Sequence, residues 1–232
     1  MHTDISWRFS ISAIKRLSCV VFDIDGTLTE TNELIFATFN YVAEKYLGKR
    51  LTPEEITAMF GPTEEVAIER LIGKERHAIA MADFFEFYKS NFRSMAKLHP
   101  GMDDVLRFLK QKKLLLAVFT GKGSHSTEIT LEQLGIRQYF DIVVTGDDVS
   151  KHKPSSEGIQ KVLERYSLDA EEVLMIGDAV ADVKAAHEAG IAIAAVVWDS
   201  YAKEKVMKME TDYLFHDVKE LREWLENVLQ TN

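Results

Sequence analysis

Five short apolar runs limit what this chain of 232 residues can become. They fall at 19–22 ("CVVF"), 114–119 ("LLLAVF"), 141–144 ("DIVV"), 172–176 ("EVLMI") and 191–198 ("IAIAAVVW"). Each is nearly continuous in apolar residues rather than alternating, which is the pattern of strands covered on both faces. Helical patterns separate them, at 102–112, 126–135, 155–166 and 182–190, with Gly135 and Gly190 where helix C-caps fall. Strand alternating with helix predicts an α/β fold built on a doubly wound parallel sheet.

Residues 32–97 break that rhythm and carry helical patterns only. Thr52 with Glu55 forms a capping box, and Pro53 takes the first helical position. The expectation is two units: an α/β core from 1–31 and 98–232, and a smaller all-helical cap from 32–97. The amphipathic segment 217–230 is expected to cover the sheet. The alternating Ile5, Trp7, Phe9 and Ile11 near the start are expected to pack as an edge strand or a surface cover.

Composition narrows the function by exclusion. A formal charge of −9 gives no general attraction to nucleic acid or to an anionic membrane. Binding an anion therefore needs locally concentrated positive charge. The single cysteine, Cys19, cannot form an intrachain disulfide, and no Cys/His cluster has zinc spacing. The N-terminus lacks the apolar stretch of a signal peptide, and no segment approaches the ~20 apolar residues of a membrane span. The expected location is the cytoplasm.

In an open parallel sheet, ligands bind beyond the carboxyl ends of the strands. After the first run come Asp23, Asp25, Gly26 and Thr27; after the second, Thr120, Gly121, Lys122 and Gly123. A few residues past the third come Lys151 and Lys153, and after the fourth Gly177, Asp178 and Asp182. Singly, each has a plainer reading, as a turn aspartate, a strand exit, a solvated lysine or a helix N-cap. Together they bring four carboxylates to one sheet edge, where some must bind protons unless a cation compensates. Mg²⁺ suits such a site, because it needs one or two carboxylates and keeps several waters. Lys153 adds a point charge, Thr120 a hydroxyl, and the Gly121 region backbone N–H donors that approach an oxyanion closely. This is a receptor for phosphate beside a carboxylate nucleophile.

The chain resembles the haloacid dehalogenase superfamily phosphatases over nearly all of its length from about Leu17. "DIDGTLT" matches the first motif, Thr120 the second, Lys153 the third and "GDAVAD" the fourth. The helical insert is similar to the C1-type cap of that superfamily. Within it, the chain looks most like the phosphoglycolate phosphatase group and its pyrophosphatase relatives, with "TNELI" and "FGP" similar to the latter. The resemblance implies Asp23 as nucleophile and Asp25 as general acid, then base. It also implies Mg²⁺ held by the Asp23 carboxylate, the Asp25 carbonyl and Asp178. Asp182 would stand behind them, orienting Lys153 or metal-bound water. Thr120, Gly121 and Lys153 would bind the transferring phosphoryl group.

Three positions depart from the family pattern: Glu30-Thr31 replaces Asp-Ser or Asp-Thr, Ser156 replaces a proline, and Gly121 replaces a frequent asparagine. Glu30, at the cap hinge, bears on substrate fit. The expected partner is a small-molecule phosphate, 2-phosphoglycolate first, then pyrophosphate, then a sugar phosphate or nucleotide. A phosphomutase shares both aspartates. A dehalogenase acting at carbon does not need Asp25, and a phosphoacceptor receiver domain lacks the D-x-D-G-T arrangement. Gly61–Pro62 is read either as a cap loop dipping toward the site or as a simple helix end. Met59, Phe60, Phe84, Phe85 and Phe87 are expected in the cap core. His125, Arg70, Arg93 and Lys97 are expected at the surface.

Overall fold

A computed structural model describes residues 16–230, so the alternating stretch Ile5–Ile11 lies outside the described residues. The sheet is built from β1 (Cys19–Phe22), β4 (Leu115–Phe119), β5 (Ile142–Val144), β6 (Val173–Gly177), β7 (Ala192–Val196) and β8 (Tyr213–Phe215). All pairs are parallel, in the order β5-β4-β1-β6-β7-β8. β1 therefore sits between strands wound outward in opposite directions, the topological switch point where ligands bind in such sheets. Its register, Phe22 opposite both Val118 and Ile176, brings the ends of β1, β4 and β6 to one level.

The continuous apolar runs are explained by burial on both faces. Val20, Phe22, Leu116, Val118, Leu174 and Ile176 point into one core with α5 (Met102–Gln111) and α10 (Val218–Gln230). Their neighbours Cys19, Val21, Ala117, Phe119, Val173 and Met175 point into the other, with α7 (Glu157–Tyr166) and α8 (Val180–Ala189). α6 (Ser124–Gln133) follows β4, and the short α9 (Lys203–Val206) precedes β8. The expected helix ends hold to within two residues, and Gly190 caps α8 in the left-handed conformation. β8 was not expected: "YLF" is too short to stand out as an apolar run.

Four helices form the insert: α1 (Asn32–Leu47), α2 (Pro53–Thr57), α3 (Glu64–Ile72) and α4 (His77–Met95). The Thr52/Glu55 capping box opens α2 with Pro53 at its start. Leu34, Phe39, Ile68, Phe84, Tyr88 and Phe92 give the insert its own core, which Ile129 of α6 joins. The Tyr88 hydroxyl meets the Thr130 hydroxyl at 2.9 Å, fastening α4 to α6. The chain crosses into and out of the insert through a two-stranded antiparallel ribbon, β2 (Thr29–Glu30) with β3 (Lys97–Leu98).

Gly158 of α7 faces the Phe119 ring so closely that a Cβ would overlap it. Phe119 immediately precedes Thr120, so crowding there would displace the strand end. Gly158→Ala should cost about 1–3 kcal/mol by overpacking. A denaturant titration with an unchanged midpoint would show that the ring has room to move.

Candidate active site

Asp23 leaves the end of β1, its N–H donating to the Ile176 carbonyl at 3.0 Å. Its Oδ1 accepts from Lys153 Nζ at 2.9 Å, and the same ammonium donates to Asp182 Oδ1 at 2.7 Å. The Phe119 ring lies under that ammonium, 4.8 Å from its centroid. Burial pushes Asp23 up to about 6, with Asp182 and Asp25 adding to the rise and Lys153 opposing it. Lys153 itself is held charged: burial acts against its charge, but Asp182 and Asp23 more than offset this and raise it.

Asp178 follows β6 and is raised well above the ordinary carboxylate value, by burial first and then by Asp23 and Asp182. Its Oδ1 accepts from the Thr27 hydroxyl at 2.8 Å. Gly26 is required beside it, because φ is +79° and a Cβ would stand 2.6 Å from Asp178 Oδ2. Oxygens of Asp23, Asp178 and Asp182 lie within 4.8 Å of one another. Asp182 has both oxygens occupied, one by Lys153 and one by the Ala179 N–H at 2.9 Å. Asp23 and Asp178 each use only one oxygen on these bonds, leaving the other for a hard cation.

The Asp25 carboxylate points elsewhere. Thr31 donates to its Oδ1 at 2.5 Å, and Lys122 Nζ lies 3.2 Å from its Oδ2. Lys122 is nearly fully buried, lies over the Tyr88 ring, and stands 3.6 Å from Glu64 of α3. Burial opposes its charge, yet Asp25, Tyr88 and Glu64 raise its pKa overall. Glu64 also accepts from the Gly123 N–H at 2.7 Å and from the Ser126 hydroxyl at 2.5 Å, at the start of α6. One insert carboxylate thereby ties the helical block to the strand end that carries Thr120.

Sequence reasoning placed Lys122 at the strand end without a role and did not single out Glu64. Lys122 had a signal, two residues past Thr120; Glu64 had none, since acidic residues are ordinary in a first helical turn. Thr120 is buried, and its hydroxyl accepts from the Lys122 N–H at 3.2 Å. Asp23, Asp25, Thr120, Gly121, Lys153, Asp178 and Asp182 all line one cavity of about 200 Å³, with Gly61 and Pro62 on its insert side.

Met59 and Phe60 also line this cavity. Met59, Phe84 and Phe85 pack in or against the cap core as expected, whereas Phe60 is 41% exposed and outside it, which corrects the expectation for Phe60. Glu30 is not among the lining residues: it pairs along the ribbon with Lys97 at 3.1 Å and with His99 at 3.5 Å. Arg70, Arg93, Lys97 and His125 are likewise absent from the lining, and His125 packs edge-on against Phe85. Cys19 is buried, its thiol pushed up to about 12 by desolvation, so it is no nucleophile.

Residues 20–196 match the haloacid dehalogenase-like hydrolase family model. The chain belongs to that family and is a phosphatase-type hydrolase of it. A Caldanaerobacter subterraneus protein carrying the PpaX name is 31% identical over 89% of this chain and 93% of its own length. The pyrophosphatase PpaX of Bacillus cereus is 28% identical, covering 92% and 98%. In fold, the chain is similar to Rhodobacter sphaeroides CbbY solved with phosphate, at a TM-score of 0.74 and 23% identity over 88% of this chain and 96% of that one.

The raised carboxylates carry a pH signature. Asp23 and Asp178 bind protons more readily in the fold than in the unfolded chain, where carboxyls titrate near 4. Without a divalent cation, both contributions to stability are therefore greatest at low pH and decline as pH rises, that of Asp23 through about 6. In chelator, the melting temperature of the native chain relative to Asp23→Asn should rise on going from about pH 7.5 to about pH 5. An equal difference at both would contradict the raised value.

Proposed function

We propose that this chain is a Mg²⁺-dependent phosphohydrolase that cleaves a small soluble phosphate ester through an aspartyl-phosphate, in a reducing, cytoplasmic setting. The observation that carries this reading is the convergence of Asp23, Thr120, Lys153 and Asp178 on one cavity at the switch point of the sheet. The core, 1–31 and 98–232, would carry the chemistry, and the cap, 32–97, the choice of substrate.

Asp23 attacks phosphorus through a carboxylate oxygen, forming a P–O bond as the bond to the leaving oxygen breaks. Asp25 gives that oxygen its proton, so the alcohol departs neutral. A water molecule then attacks phosphorus, passing its proton to the Asp25 carboxylate as the bond to Asp23 breaks and inorganic phosphate leaves. Thr120, the Gly121 backbone and Lys153 stabilise charge on the transferring group, and Asp182 keeps Lys153 aimed at it. Mg²⁺, held by Asp23, the Asp25 carbonyl and Asp178, would supply charge neutralisation for phosphoryl oxygens. Monoester hydrolysis asks for up to roughly 28 kcal/mol of barrier lowering, a scale that no single strand-end group supplies.

Pyrophosphate is the second reading, favoured by the names of the relatives. A phosphomutase would use the same groups with a hydroxyl in place of water, and release of inorganic phosphate separates the two. Asp23→Asn should lower phosphate release by at least about 10⁴-fold while leaving the circular dichroism spectrum unchanged. Chelation should stop release by the native chain, and re-addition of Mg²⁺ restore it. Turnover by Asp23→Asn near the native rate would overturn the covalent route.

A further inference from the structure

The two ends of the cavity differ in chemistry. At one end stand the groups that face phosphorus; the other is walled by Ile35, Phe39, Met59, Phe60 and Ala67 of the insert and by Tyr201 of the core. Phe60 and Tyr201 meet edge-on at 6.0 Å, closing that wall across the two units.

Charge around the cavity is equally one-sided. Five carboxylates line it, Asp23, Asp25, Glu64, Asp178 and Asp182, against two lysines, and no arginine or histidine is among the described lining residues. Lys153 is committed to Asp23 and Asp182, and Lys122 to Asp25 and Glu64. Each lysine is thus matched by two carboxylates, and Lys153 already faces the phosphoryl end.

Resting on the phosphohydrolase reading above, we infer that the substrate is a phosphate monoester whose leaving group is uncharged and largely apolar. Pyrophosphate and 2-phosphoglycolate would each bring further negative charge against this wall. Burying a charge without a partner is heavily penalised. The whole cavity is about 200 Å³ and must hold the phosphoryl group as well, so the leaving group is small.

Benzyl phosphate and 2-phosphoglycolate both release a primary alcohol, so leaving-group chemistry does not decide between them. With Mg²⁺, kcat/KM for benzyl phosphate should exceed that for 2-phosphoglycolate and that for pyrophosphate by roughly tenfold or more. Phe60→Arg places a cation in the apolar wall at a position already 41% exposed, and an unchanged circular dichroism spectrum checks that the fold is kept. It should move the benzyl-to-phosphoglycolate ratio by about tenfold toward the anion. Preference for pyrophosphate or 2-phosphoglycolate in the native chain overturns this inference and leaves the phosphohydrolase standing. A ratio unmoved by Phe60→Arg overturns the role of the wall. Release from none of the three, with the native chain no different from Asp23→Asn, overturns both readings together.

Discussion

The Lys153 ammonium lies between Asp23 and Asp182, in a pocket where three carboxylates would otherwise face one another without water. Removing a partner from such a group leaves a buried charge uncompensated, a far larger penalty than the net worth of the pair. Three separate segments must meet for the arrangement to exist: the end of β1, the loop after β5 and the start of α8. None is near another in sequence, since Lys153 is 130 residues from Asp23 and 29 from Asp182. The parallel sheet supplies the meeting point. Level strand ends at the switch between β4 and β6 leave these groups only one place to go.

The second lysine extends the logic to the insert. Lys122 neutralises Asp25 from the β4 side and Glu64 from the α3 side, so the helical block closes on a charge rather than on apolar contact alone. Its ammonium is nearly fully buried, and a buried ammonium needs its carboxylate partners. Glu64 then spends its oxygens on the N-terminal turn of α6, where backbone N–H groups lack helical partners. The packing of the insert and the pairing of Asp25 thus meet at the same side chain.

The sheet and the strand-end groups are legible in the sequence because both follow local rules. An apolar run covered on two faces leaves a continuous signature, and polar groups after it must fall at one edge. Cys19–Phe22 and Val173–Gly177 are plain for this reason, while Tyr213–Phe215, three residues at an edge, is not. The insert side is harder to read because its part in the cavity depends on tertiary packing. Phe60 has the composition of a core residue and differs from Phe84 in that the turn after α2 leaves it exposed at the cavity. Glu64 looks like any acidic residue opening a helix. Glu30 departs from the family pattern at a place that suggested substrate contact, yet its carboxylate serves Lys97 and His99 along the ribbon.

That ribbon has an architectural consequence. The chain leaves the core at Thr29–Glu30 and returns at Lys97–Leu98, two strands paired side by side, so the whole insert hangs from a single doorway. No sheet hydrogen bond, and no strand order, depends on what lies beyond it. Selection can remodel the insert's helices while the strand ends stay intact, because the two are joined covalently at one threshold and elsewhere only by removable contacts.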